Sequence, residues 1–302
     1  MDENLEEILR NLDSFLDEVG KFQLDSRKSG FSVNTKSSDV DFVTQIDKKS
    51  DEMIINFIRQ NYPTHEILTE EHGSLPALKC KKSKEQKISK SGSQNFKESE
   101  FCNNIPRGDN LETTQHKNGK NETNNKWCWV VDPIDGTTNF IHSYPLHCIS
   151  VGLKFNEETV LGMVVLPVLK MKFYAIKGAG AFLNGEKINV SKTSELKKAI
   201  ISTGFPYNRA VENPNLVYFN KIINQISGIR RSGSAAIDLC FNAAGFCDAY
   251  FEFNINEWDF CAGWLILNEA GGRGKVRKFG HNTMYIFTNS HIDEALEKAL
   301  FG

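Results

Sequence analysis

Trp129-Val130-Val131-Asp132-Pro133-Ile134-Asp135-Gly136-Thr137-Thr138-Asn139-Phe140 is the stretch that decides how this chain is read. An apolar run ends abruptly in a carboxylate, which predicts a buried strand with Asp132 at the carboxyl edge of a sheet, where α/β ligands bind. Pro133 fixes φ and brings no N–H, so Asp132 and Asp135 are held in a tight turn. The Ile134 carbonyl can then face the same point as both carboxylates, an all-oxygen donor set suited to Mg²⁺ or another hard cation. Gly136 lets backbone approach a ligand closely, and Thr137 and Thr138 open a short helix whose unpaired N–H groups suit a phosphate. A plainer reading competes, because a bare Asp-x-x-Asp-Gly is also an ordinary turn from strand to helix.

Outward from this stretch the chain alternates helical and strand patterns. Leu5, Ile8, Leu9, Leu12, Phe15, Leu16, Val19 and Phe22 recur at steps of three and four, an amphipathic helix. A second helix is predicted over 47–61, stopping before Pro63. Short strands are predicted at 66–69 and 127–131, longer ones at 148–155, 159–166 and 171–176, with a Gly-rich turn at 177–180. The second half alternates again: strand 199–202, helices 214–226 and 234–244, strand 248–253, helix 258–269. Sheets layered with helices, an α/β (α+β) body, are the expected class.

Composition limits the alternatives. With 302 residues, 40% hydrophobic and 25% charged, the chain can bury a large core, and its composition excludes collagenous or wholly disordered classes. Residues 75–126 differ from everything around them: 11 Lys or Arg against six acids, whereas the rest of the chain carries 25 basic and 32 acidic residues. This is read as a basic, low-complexity insertion in a single catalytic unit spanning 1–302. It leaves soon after Glu70 and returns before Asp132, so it could act as a lid or as a docking loop for an anionic partner. The net charge of −2 gives no reason to expect nucleic acid, and the absence of a signal peptide or long apolar run predicts a cytoplasmic protein with no membrane association. None of the seven cysteines forms a C-x-x-C pair, and no histidines have metal-ligand spacing. Gly271-Gly272-Arg273-Gly274-Lys275 superficially suggests a phosphate loop, but Val276 follows Lys275 where a Walker motif needs Ser or Thr, so it reads as a helix cap and turn.

Two chemical classes can use a carboxylate-rich turn. Aspartyl-phosphate phosphatases need acids two apart in D-x-D, and here they are three apart with proline between. The full string instead resembles the signature of the inositol monophosphatase family of Mg²⁺-dependent phosphomonoesterases. Asn256-Glu257-Trp258-Asp259-Phe260-Cys261-Ala262-Gly263 resembles that family's second motif, W-D-x-x-A-G, and Glu269-Ala270-Gly271-Gly272 its E-A-G-G. Outside the insertion the resemblance runs from Lys36-Ser37-Ser38-Asp39-Val40-Asp41-Phe42-Val43-Thr44 to Asn289.

The resemblance implies a layered α-β-α-β-α sandwich of the sugar phosphatase type, a homodimer and lithium sensitivity. It implies two to three Mg²⁺ ions held by Glu70, Asp132, the Ile134 carbonyl, Asp135 and Asp259. It also implies that Glu70, Asp47 and Thr137 position the attacking water and that the Gly136 and Thr137 N–H groups bind phosphate. Without cations, four converging carboxylates would repel one another, which agrees with a metal site. Glu71 and Asp47 also suit a solvated face or a helix start; Trp258 suits packing, and Lys36 matches a family lysine near the metals.

Gly233, Ala235 and Glu252, together with Asp135 and Asp259, occupy positions that contact a phosphorylated polyol in relatives. The implied reaction is hydrolysis of myo-inositol monophosphate. Histidinol phosphate, 3′-phosphoadenosine phosphates and fructose 1,6-bisphosphate are the alternatives on the same scaffold, and a partner-binding regulatory role is the alternative of another class. Asn256 and Glu257 depart from the family pattern, and the added charge of Glu257 is expected to reshape the pocket rim.

Overall fold

A computed structural model describes residues 3–36, 42–78, 126–205 and 213–302. The chain opens with α1 (Leu5–Ser29), the antiparallel pair β1 (Val33–Thr35) and β2 (Phe42–Thr44), and α2 (Gln45–Asn61). There follow β3 (Glu66–Thr69), β4 (Gly73–Leu75), β5 (Trp127–Asp135), α3 (Thr137–Ile141), β6 (Cys148–Phe155), β7 (Glu158–Leu166), β8 (Met171–Ile176), β9 (Gly180–Leu183) and β10 (Glu186–Ile188). The second half holds β11 (Ile200–Thr203), α4 (Pro214–Ile222), β12 (Gly228–Arg230), α5 (Ala235–Ala243), β13 (Ala249–Phe253) and α6 (Glu257–Glu269). It ends with β14 (Arg273–Phe279), β15 (Asn282–Thr288) and α7 (Asp293–Phe301).

Eight strands form one sheet in the order β10-β9-β8-β7-β6-β5-β3-β4, and five form another, β12-β11-β13-β15-β14. Alternation along β7 sets the layers: Leu161, Met163 and Val165 pack with Leu12 and Leu16 of α1 and Ile54 of α2, while Val164 and Leu166 pack with α5 and α6. The second sheet turns Tyr250 and Phe287 toward α5 and α6, and Phe251 and Ile286 toward Leu296 and Leu300 of α7. The result is the expected α-β-α-β-α sandwich.

Paired glycines seat α6 on the large sheet. A Cβ on Gly162 would stand 2.8 Å from the Ala262 carbonyl oxygen, and one on Gly152, its cross-strand neighbour, 2.6 Å from Cys261 Sγ. This close approach brings the first turn of α6, with Asp259, toward the end of β5.

Several boundaries differ from expectation. Helix α1 continues past Phe22 to Ser29, and β5 runs through the turn to Asp135 with a shift in register between Asp132 and Asp135. The strands β14 and β15 and the helix α7 were not anticipated. The Gly271 turn does follow the end of α6, with φ at 97°, and Lys275 then lies in β14 opposite Ile286. Most of the basic stretch 75–126 lies outside the described residues. Its ends are described, and they correct the basis for a lid: Leu78 N donates to Pro63 O, and Lys126 immediately precedes β5. Because β3 and β5 are parallel, with Glu66 opposite Cys128, both ends lie where these strands begin, and Glu70 and Asp132 where they finish. Six residues of extended chain, roughly 20 Å, separate Lys126 from Asp132. Among the described residues no helix is long and apolar enough to cross a membrane, and five cysteines are free thiols.

Candidate active site

The end of β5 is built as a bulge. Asp132 pairs with Ser150 and Asp135 with Cys148, so Pro133 and Ile134 together stand opposite Ile149 alone, one residue more than the ladder holds, and the strand bends between the two carboxylates. Ile134 N donates to Asp132 Oδ1 at 3.0 Å. Thr137 Oγ1 lies 3.1 Å from the Ile134 carbonyl oxygen and 2.9 Å from Asp47 Oδ1. Gly136 takes φ 93°, and a Cβ there would meet Leu146 O at 3.0 Å and Gly233 O at 3.4 Å. Only glycine fits this corner. Asn139 Nδ2 then ties the turn to the second half by donating to Leu146 O (2.5 Å) and Ser232 O (2.7 Å).

Helix starts supply the remaining acids. Asp47 is the third residue of α2, where Thr44 N donates to its Oδ2 at 2.9 Å, and Asp259 is the third residue of α6, where Asn256 N donates to its Oδ2 at 2.6 Å. In each case the helix cap uses one carboxylate oxygen and fixes the direction of the other. Asp135 Oδ2 accepts from Ser234 Oγ (2.7 Å) and Ala236 N (2.8 Å) at the start of α5. Glu70 follows β3 directly, its N–H bonded to Val131 O, and its side chain meets Lys36 Nζ at 2.9 Å. Lys36 also pairs with Glu71 at 2.5 Å.

Electrostatics bind these residues into one cluster. Burial, then the charges of Glu70, Asp135 and Asp259, holds Asp132 well above the usual carboxylate range. Asp259 is raised by burial and then by Asp135 and Glu70. Burial pushes Glu70 up to about 7 against the pull of Lys36, and Asp135 up to about 6 against its hydrogen bonds from Ser234 and Ala236. Asp47, fully buried, is raised for the same reason.

Among the described residues no group of three or more His, Cys, Asp or Glu side chains already forms a ready cage. The donor chemistry nonetheless fits a divalent hard cation: oxygen donors throughout, and buried carboxylates whose ionisation needs a compensating charge.

The positions expected to contact substrate adjoin this cluster. Gly233 backs onto Gly136, and Ala235 lies next to the Ala236 N–H that holds Asp135. Glu252 receives the Tyr250 hydroxyl at 2.5 Å and is pushed up to about 7 by burial, with Arg231 opposing. Its carboxylate lies directly over Gly204, where any Cβ would collide with it. Glu257 does not leave a free charge at the rim, contrary to expectation: Lys154, almost fully buried on β6, pairs with it at 2.5 Å. Its partner lies on the sheet face that α6 covers, 103 residues away along the chain, too far to be read from sequence.

Other residues escaped the sequence reading. Asp51, fully buried, accepts from Thr69 Oγ1 (2.8 Å) and lies 2.7 Å from His72 Nδ1, bracing the turn that carries Glu70 and Glu71. Its place four residues after Asp47, on the same helix face, was the available signal. Gln23 reaches the Asp132–Asp135 turn from α1 by donating to the Pro133 carbonyl, and Ser234 was quoted only as part of a longer segment.

The site is thus a buried oxygen-donor cluster at the carboxyl end of a bulged strand in a layered α/β body. Residues 4–292 match the model of the inositol monophosphatase family. The chain is 33% identical to Nus factor SuhB of Pseudomonas aeruginosa, over 92% of this chain and 83% of that protein. It is 35% identical to inositol-1-monophosphatase of Synechocystis, over 80% and 68%. The solved inositol monophosphatase of Anabaena superposes with a TM-score of 0.72 at 30% identity, covering 99% of this chain and 96% of that one. The chain belongs to the inositol monophosphatase family, a family of phosphatase hydrolases.

Proposed function

We propose that this protein is a Mg²⁺-dependent phosphomonoesterase that hydrolyses myo-inositol monophosphate to myo-inositol and phosphate. The observation that carries this reading is the convergence of Glu70, Asp132, Asp135 and Asp259 beside the Gly136 corner. Glu70, Asp132, the Ile134 carbonyl, Asp135 and Asp259 would hold two to three Mg²⁺ ions. When bound, the metal supplies Lewis-acid chemistry for phosphoryl transfer.

The chain's own groups do the rest. With the Thr137 hydroxyl donating to Asp47, its lone pairs are left to accept from a water, which they orient together with Glu70. The N–H groups of Gly136 and Thr137 bind phosphate oxygens in a buried corner where such bonds are strong. Glu252 accepts from substrate hydroxyls, as a carboxylate suits a polyol, while Gly233 and Ala235 present backbone and little bulk. Asp135 and Asp259 would contact the same substrate. The proposed body is one catalytic unit spanning 1–302, a cytoplasmic homodimer.

Phosphate release from inositol 1-phosphate, histidinol phosphate, 3′-phosphoadenosine 5′-phosphate and fructose 1,6-bisphosphate, with and without Mg²⁺, tests the proposal. Mg²⁺-dependent release fastest from inositol 1-phosphate is expected. Preference for another ester moves the assignment within the fold, and release from none overturns it.

A second reading gives the chain a macromolecular partner, held by the basic stretch 75–126. The relative named Nus factor supports it, as do the described ends of that stretch, which leave the sheet away from the carboxylates. Replacing 79–125 by a short Gly-Ser linker is expected to keep kcat and KM within about twofold while abolishing retention on an anionic matrix. A large rise in KM would instead restore the lid.

A further inference from the structure

Gln23 sits in the last third of α1, fully buried, on the face that otherwise buries Ile8, Leu12, Leu16 and Val19. Its Nε2 donates to the Pro133 carbonyl oxygen at 2.8 Å and to Ser50 Oγ at 3.2 Å. Its Oε1 is buried without a hydrogen-bond partner among the described residues. For stability alone this is a poor choice, since a buried half-satisfied amide is less favourable than an apolar side chain of the same size. The residue is therefore better explained by what it holds.

The Pro133 C=O and the Ile134 N–H belong to one rigid peptide plane and point in opposite directions. Gln23 pins the oxygen end. The N–H end donates to Asp132 Oδ1 at 3.0 Å. The preceding peptide ends on the proline nitrogen and has no N–H to donate, so among the described residues these two contacts are the hydrogen bonds that hold the turn here. If the oxygen end is released, the plane can rotate; Asp132 then loses the bond that sets its carboxylate, and the adjoining peptide, whose Ile134 carbonyl accepts from Thr137 Oγ1, loses its support on that side. Both are donors in the proposed cation site.

We propose that Gln23 is a positioning residue: by fixing the Pro133–Ile134 peptide from α1, it aims Asp132 and the Ile134 carbonyl at the cation. This inference rests on the reading of the site given above. It places a determinant of metal affinity on a helix that supplies no ligand.

The test is Gln23→Met, which keeps the volume and removes the donor. Mg²⁺ alone is titrated into the full chain by calorimetry, and melting of the metal-free chain and kcat and KM at saturating Mg²⁺ are measured alongside. Mg²⁺ affinity is expected to fall about tenfold, with metal-free melting unchanged or raised and KM for the ester unchanged once Mg²⁺ saturates. An affinity within twofold of the unaltered chain, with or without a lower melting temperature, would reduce Gln23 to packing and overturn the proposal. Should this variant not fold, Ser50→Ala reports instead, because it removes the second anchor of the same amide; a loss of about threefold is expected, and no change overturns the proposal. Failure of the unaltered chain to bind Mg²⁺ overturns both this inference and the site reading, whereas equal binding by both chains overturns this inference alone.

Discussion

The two ends of β3 and β5 solve opposite problems with the same strands. Where they begin, rings are stacked: His65 lies between Tyr62 and Trp127 at centroid distances of 5.3 and 5.5 Å, and Trp127 meets Phe155 at 4.6 Å. Trp129 Nε1 donates to His65 Nδ1 at 3.0 Å, so the imidazole is neutral with its proton on Nε2. Ring stacking and this one bond between rings hold the end together. Where the strands finish, burial raises Glu70, Asp132 and Asp135, the charges of Glu70 and Asp135 raise Asp132 further, and the folded state pays for gathering them. Stability and chemistry are thus separated by the length of one strand, and each should be alterable without the other.

The largest effect is expected from Asp132→Asn. Turnover should fall on the order of 10³-fold, while the metal-free chain should melt a few degrees higher because one repelling charge is gone. Phosphate-release kinetics and a melting curve check both halves, and a lower melting temperature would break the comparison at its costly end.

A smaller effect sharpens it. In the metal-free chain the folded state holds protons on Asp135 (about 6) and Glu70 (about 7) that ordinary carboxylates in the unfolded chain lose near pH 4. Their contribution is therefore most favourable at low pH and is lost as pH rises through about 6 to 7. Added Mg²⁺ must displace those protons, so the gain in Tm that it gives should grow from about pH 5.5 to about pH 8. A gain flat across that range would remove these carboxylates from the set of ligands.

The smallest effect on catalysis belongs to the aromatic end. Trp129→Phe removes the indole donor to His65 and part of a buried ring, and should cost about 1–3 kcal/mol in denaturant unfolding. Its kcat and KM should stay within about twofold. A marked loss of turnover would show that the two ends are coupled along β5.

Most of the layered fold was legible because its decisive signals are local. Apolar periodicity announces α1 and α2, and the runs 148–155 and 171–176 carry their strands to the residue. The hairpin of β14 and β15 was missed because Arg273, Lys275, Arg277 and Lys278 give one strand the look of a solvated loop, and its pairing with β15 supplies what its own side chains do not. The strands β1, β4 and β12, each three residues long, have no room for a period. At the site, the turn 129–140 was read as the place for a cation because Pro133 and Gly136 act within their own neighbourhood. Gln23, Asp51 and Lys154 act through partners on other elements, and no spacing announces that. The lid expectation arose from treating nearness in sequence to Glu70 and Asp132 as nearness in space, and parallel strands separate the two.

The carboxylates are contributed in two instalments. Glu70, Asp132 and Asp135 are laid down before the large sheet is complete, whereas the Ser234 and Ala236 anchor for Asp135, and Asp259 itself, arrive only with α5 and α6. During synthesis the first half therefore emerges from the ribosome carrying a set of acids with no counterpart to close over them. On the proposed reading, a chain cut before α6 lacks Asp259 and is expected to release no phosphate.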